Sequence, residues 1–192
     1  MEQNRCPWTT KNKLMIKYHD EEWGVPVHNE RKHFEFLLLE SFQAGLSWQT
    51  IINKRKNFKE AFDNFDYKKI AVYKGPKIRL LLNDAGIIRN KVKINAVISN
   101  AHFFIEIRKE FSSFDKYIWS FVNFKPVMNN FKSDSQIPVS SKLSDKISAD
   151  LKERGFKFVG TTIIYAHIQS IGMVNDHLVS CFRYKQVGKL TK

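Results

Sequence analysis

Only two cysteines, Cys6 and Cys181, occur in the 192 residues, and they lie near opposite ends. Glycine and proline are also scarce, at 8 and 5, and the chain holds no internal repeat and no low-complexity tract. No stretch approaches the roughly 18 apolar residues that span a bilayer. The first thirty residues mix Lys, Asp, Glu and Trp without the apolar run of a secretion signal. A cytoplasmic, reducing setting is therefore expected. There a lasting disulfide is disfavoured, and metal ligation or plain burial are the two open roles for the cysteines. Acid is short as well, with 19 Asp and Glu against 32 Lys and Arg and a net charge of +13. Such an excess favours polyanionic partners, nucleic acid ahead of a membrane surface, although an A/T-rich genome also inflates lysine.

Apolar material is plentiful. Hydrophobic residues make up 43% and aromatics 14%, with 16 Phe, which excludes a disordered chain and suits one domain or two small lobes sharing a core. Strand-like alternation is missing, and the apolar pattern is helical nearly throughout. Helices are expected over 33–44, stopping before Gly45, then over 48–62, 78–83, 91–107 and 114–121. Gly86 suits a helix C-cap. The polar stretch 132–141, with Pro138, is the best linker candidate. Ser144 is expected to cap a helix reaching about Glu153, and Thr161 or Thr162 another ending at Gly172. The fold class is all-α.

Those last two helices enclose Arg154-Gly155-Phe156-Lys157-Phe158-Val159-Gly160-Thr161-Thr162. Glycines there let backbone approach a phosphate, and free amides at the start of the second helix can donate to it. Lys157 and Arg154 would add charge. An ordinary αα-turn with glycine caps fits the same spacing.

The segment Glu40-Ser41-Phe42-Gln43-Ala44-Gly45-Leu46-Ser47-Trp48 carries a second signal. At about 100° per residue Glu40 stands roughly 140° around the helix from Glu35, so the two do not share a solvated face. Its neighbours are Phe36, Leu37, Gln43 and Ala44. A carboxylate in that setting needs a partner or a function, unless it reaches solvent or pairs with a lysine. Trp8, Tyr18, Trp23 and Trp48 are the nearby aromatics; with one carboxylate they suit a flat, cationic guest, while core packing would claim about two of the four. Trp119 reads as core.

Cys6 and His19 are separated by twelve residues, and His177 and Cys181 lie four apart, on one face of a helical turn. Two Cys and two His can complete a closed tetrahedral zinc site. Both cysteines of the chain belong to these pairs. His28, His33, His102 and His167 have no such company.

Taken together, the blocks 18–26 (YHDEEWGVP), 43–48 (QAGLSW), 84–89 (DAGIIR), 119–123 (WSFVN), 154–162 (RGFKFVGTT) and 174–177 (VNDH) resemble the DNA-3-methyladenine glycosylase I family over about 5–184. The resemblance implies a helix-hairpin-helix glycosylase fold with the hairpin at about 144–172. It also implies a zinc lobe formed by about 1–30 and 173–192. It implies a monofunctional enzyme that extrudes and hydrolytically releases 3-methyladenine from alkylated double-stranded DNA, acting as a monomer. By position, Cys6, His19, His177 and Cys181 match the zinc ligands. Glu40, Tyr18 and Trp48 match base-binding residues, with Trp8 and Trp23 close by and Glu40 in the catalytic role. Gln43 and Leu46 match the loop that presses into the duplex, while Gly155, Lys157, Gly160 and Thr161 belong to the DNA-gripping hairpin. Other helix-hairpin-helix glycosylases keep a catalytic Asp after the second helix. Here Asn175 falls at that position, and Asp176 is given no catalytic role. The rivals are a zinc-stapled DNA-binding module without chemistry, a glycosylase for another lesion, and a basic all-α interaction protein.

Overall fold

The computed structural model describes residues 3–9 and 11–190. Ten α-helices carry the described chain: α1 Lys13–Glu21, α2 Glu30–Gln43, α3 Trp48–Ala61, α4 Tyr67–Ala71, α5 Gly75–Asn83, α6 Lys91–Phe111, α7 Phe114–Ser120, α8 Lys142–Glu153, α9 Thr161–Ser170 and α10 Phe182–Lys189. None is long and apolar enough to cross a membrane. Side-chain caps set many of their starts. Asn12, Asn29, Ser47, Asp66, Asn90, Ser113 and Ser141 each accept hydrogen bonds from backbone amides of the first turn, which relieves donors with no partner inside the helix.

Helix α2 is the axis of the molecule. Every residue from Phe36 to Phe42 is buried, including Glu40 and Ser41, because α3, α6, α7 and α9 pack around it. A helix apolar on all sides belongs in the interior. Around it Phe34, Phe58, Phe62, Phe104 and Phe114 fill the core with their rings in contact.

Some local expectations are corrected. Ser144 does not cap α8. Ser141 does, while Ser144 occupies the third helical position and its hydroxyl accepts from the Ser141 amide, a reciprocal capping box. Gly160, not Thr161 or Thr162, stands at the N-cap of α9, and the Thr161 hydroxyl donates to Asp145 instead, at 2.5 Å. Gly86 is no left-handed cap either: α5 stops at Asn83, and the Asp84 side chain accepts from the Gly86 amide at 2.7 Å. A two-residue parallel pair, β1 Val127–Met128 beside β2 Val174–Asn175, was not anticipated. It ties the segment after α7 to the segment after α9. The 132–141 stretch is irregular apart from one short 3₁₀ turn, Asp134–Gln136.

Candidate active site and metal centre

Helix α1, the last turn of α2, the start of α3 and the end of α9 converge on a cavity of about 540 Å³. Trp8, Tyr18, Trp23 and Trp48 all line it, so none of the four is merely core. Trp8 meets Trp23 edge-on at 4.9 Å between ring centroids, and Tyr18 lies 5.3 Å from Trp48. Met15, Gln43, Ile137, Ala166, Gln169 and Ser170 complete much of the wall. Ile137 comes from the stretch expected as a linker, which therefore supplies part of the rim.

Glu40 is 2% exposed and lines the same cavity. It neither reaches solvent nor pairs with a lysine. Glu35, on another face of α2, does the ordinary thing and binds Arg55 at 2.7 Å. One Glu40 oxygen accepts from the Ser170 hydroxyl at 2.8 Å, and that hydroxyl in turn accepts from Tyr18 at 2.9 Å. The other oxygen, Oε2, has no partner, and neither do the indole N–H groups of Trp8 and Trp48. Buried polar atoms are almost always satisfied. Of the seven such atoms without a partner among the described residues, three belong to residues lining this cavity, an arrangement that can serve a guest that both donates and accepts.

Burial raises the Glu40 pKa to about 8, against which the Ser170 hydrogen bond pulls only weakly. Burial, with the Glu40 charge behind it, also holds the Tyr18 phenol well above its usual value. A carboxyl whose folded pKa exceeds its unfolded value of about 4.5 is favoured while protonated. Its contribution is fully present below pH 4.5 and is lost as pH rises toward 8, at up to about 1.4 kcal/mol per unit. Glu40→Gln removes this penalty. The variant should gain about 4 kcal/mol on the wild type between pH 5 and pH 8.5, seen as a melting temperature that pulls ahead by about 8–16 °C. Parallel melting curves across that range would show that Glu40 is not desolvated.

Behind Trp8 and Trp23 lies the second constellation. Cys6, His19, His177 and Cys181 are all buried, with their ligand atoms within 4.8 Å of one another. The Cys181 sulfur is 3.5 Å from His19 Nε2 and 3.6 Å from His177 Nδ1; the Cys6 sulfur is 3.7 Å from that same Nδ1. Bonds of about 2.3 Å to sulfur and about 2.0–2.1 Å to nitrogen, at a tetrahedral angle, put those atoms about 3.6 Å apart. The fit extends outward. His19 turns its other nitrogen to Asp20 at 2.7 Å, and His177 turns its own to the Trp23 carbonyl at 3.0 Å, the support that metal-bound imidazoles use. Hydrogen bonding between the two sulfurs drives Cys181 toward thiolate, helped by both imidazoles, and holds the Cys6 proton. These residues could hold a metal ion. The node also supports the cavity, since Trp8 packs on His19 and Trp23 on His177, at 5.4 and 4.6 Å.

The hairpin between α8 and α9 brings the remaining expected residues to the surface. Gly155 has φ +95°, and a Cβ there would sit 2.5 Å from the Phe103 ring, so only glycine fits. Gly160 is open, with nothing within 4 Å of an added Cβ. Lys157 is exposed beside it. Arg154 departs from expectation: its guanidinium folds back onto Asp150 and Glu110, both at 2.7 Å, and offers no free charge. Gly45, at φ +78°, turns the chain out of α2 and leaves Leu46 40% exposed, while Gln43 lines the cavity.

Asn175 and Asp176 are buried, and neither lines the cavity. Asn175 accepts from the His177 amide at 3.2 Å, and Asp176 accepts from Tyr165, Gln169 and Asn129 at 2.6–2.8 Å. Ser170 was missed from the sequence. A serine near a helix end announces nothing by itself, and its link to Glu40 spans 130 residues.

Residues 8–184 match the family model described as methyladenine glycosylase. DNA-3-methyladenine glycosylase 1 of Escherichia coli K12 is 46% identical over 180 residues, covering 94% of this chain and 96% of that protein. A crystal structure of 3-methyladenine DNA glycosylase I superposes with a TM-score of 0.90 at 45% identity, over 93% of this chain and 98% of the other. The Staphylococcus aureus enzyme, whose structure is described as the basis of 3-methyladenine recognition, gives 0.90 at 33% identity, over 94% and 96%.

Proposed function

Because this chain belongs to the methyladenine glycosylase family, we propose that it is a base-excision repair enzyme that draws 3-methyladenine from alkylated duplex DNA into the cage around Glu40 and releases it hydrolytically. The observation that carries this reading is the trio of buried, unpartnered atoms, Glu40 Oε2, Trp8 Nε1 and Trp48 Nε1, on three residues that line one cavity.

Methylation at N3 makes the purine of the nucleotide cationic and a good leaving group. Extruding it costs a few kcal/mol, less for a damaged base. The aromatic walls stack on the base and attract its charge. Glu40, protonated in the empty cage by its raised pKa, gives up that proton to solvent as the cation enters and then faces it as a carboxylate in a dry site, where charge pairs act strongly. When the bond from the base to the sugar breaks, its electron pair stays with the base and neutralises it, while positive charge passes to the sugar. Glu40 stabilises that transfer electrostatically. Water bonds to the sugar carbon and loses its proton to solvent. No lysine is found among the described residues lining the cavity, which supports release by water rather than a Schiff base.

In this reading Leu46 and Gln43 fill the duplex gap, while Lys157 and the amides at Gly160 and Thr161 hold a phosphate. Cys6, His19, His177 and Cys181 hold one zinc ion in a closed, structural site. Cage, plug and hairpin are all carried by one chain, so a monomer suffices.

Incubation with methylated duplex DNA followed by chromatography of the released bases tests the reading. Free 3-methyladenine should appear, and the DNA strand should stay uncut. DNA retention without any freed base would leave only a binding module.

A further inference from the structure

Helix α6 carries two buried polar side chains that no part of the proposed chemistry uses, Lys93 at 6% exposure and Asn100 at 2%. They are seven residues apart, two turns along one face of the helix. Neither lines the cavity.

Each grips the backbone of a different DNA-facing segment. The Lys93 ammonium donates to the carbonyls of Phe42 at 2.9 Å and Ala44 at 2.5 Å. These flank Gln43 at the end of α2, where carbonyls lack helical partners and the dipole is negative, immediately before Gly45 and Leu46. Asn100 holds Lys157 from both sides, donating to its carbonyl at 2.9 Å and accepting from its amide at 2.8 Å. Further along α6, the Phe103 ring fills the space under Gly155. The Lys93 ammonium also lies 5.9 Å from the ring of Phe158, a hairpin residue held at φ +56°. A glycine or a surface side chain would cap α2 without sinking a charged group, whose burial is costly.

We infer that α6 acts as a spacer between the plug loop and the phosphate-gripping hairpin, with Lys93 and Asn100 as its positioning residues. The inference rests on the proposed roles of those two segments. A wedge entering the duplex pushes back on its own loop, and the phosphate grip supplies the counterforce only if the two are rigidly linked. Helix α6 supplies such a link, hydrogen-bonded to the backbone at both places, beside the direct contact of the Ser41 hydroxyl with the Phe158 carbonyl at 3.4 Å.

The test compares Lys93→Met, Asn100→Leu and the double variant. Single-turnover release of 3-methyladenine from duplex DNA is measured beside binding of free 3-methyladenine, read from tryptophan fluorescence. Affinity for a duplex with a stable abasic-site analogue is a third readout. Each single variant should slow duplex excision roughly 10- to 100-fold, the cost of a misplacement near 1 Å, while free-base affinity stays within about twofold of the wild type. The double variant should be no slower than the worse single variant, because either break frees the same relation. Undiminished excision in both singles, or losses that multiply in the double, would overturn the inference. So would free-base affinity falling in step with excision, which would assign the pair to general packing. If the wild type released no 3-methyladenine, the proposed function would fail instead, and the abasic-duplex affinities would still read the spacing.

Discussion

Glu40→Gln should slow excision of 3-methyladenine about 100- to 1000-fold, the range lost when one preorganised electrostatic contact is removed from a dry site. The amide keeps the shape and the Ser170 hydrogen bond but cannot carry the charge that meets a cationic base. Binding of undamaged DNA should not change, because the segments proposed to contact the duplex, Gln43 to Leu46 and Lys157 to Thr161, are untouched. The pH profile adds a signature of its own. With the free-enzyme pKa near 8, the carboxylate fraction grows as pH rises, so wild-type kcat/KM should climb toward about pH 8 and then level, while the variant stays flat. A variant as active as the wild type, or one keeping the same slope, would remove Glu40 from the mechanism.

Cys181→Ser should strip the metal and reach the cage as well. A structural zinc contributes about 10–16 kcal/mol in small fingers; even a third of that, in a chain with its own large core, would lower the melting temperature by about 10 °C. Trp8 and Trp23 rest on the two histidines of the node, so their walls should loosen and free-base affinity should fall by about tenfold even at temperatures where the chain is folded. Zinc content by elemental analysis, melting, and base binding should change together. Unaltered metal content would dismiss the assignment. Lost metal with intact base binding would show that the node staples the chain without shaping the cavity.

Much of this was legible in the residues. The apolar run around Glu40 raised the possibility of a buried acid, and the two Cys–His pairs that of a tetrahedral donor set, while the resemblance to the family pointed to both. What escaped notice was decided over long separations. Ser170 reaches Glu40, and Lys93 reaches the end of α2, only once distant helices are packed; on a helical wheel Lys93 is just another base in a basic chain. The β1–β2 pair is too short for any alternation to show. At α8 two serines three apart competed for one cap, and reciprocity made Ser141 the cap and Ser144 its partner. Arg154 looked available because its acceptors, Glu110 and Asp150, lie on two different helices.

Cys6 and His177 stand 171 positions apart and yet touch, which has a bearing on biosynthesis. Ribosomes emit Cys6 and His19 early, but the node closes only after α9 has followed. Until then Trp23 lacks the His177 ring it leans on. A nascent polypeptide can already form the turn between α8 and α9, yet it owns no complete cavity around Glu40. Competence to cut a glycosidic bond should therefore arrive late and all at once, rather than growing with chain length.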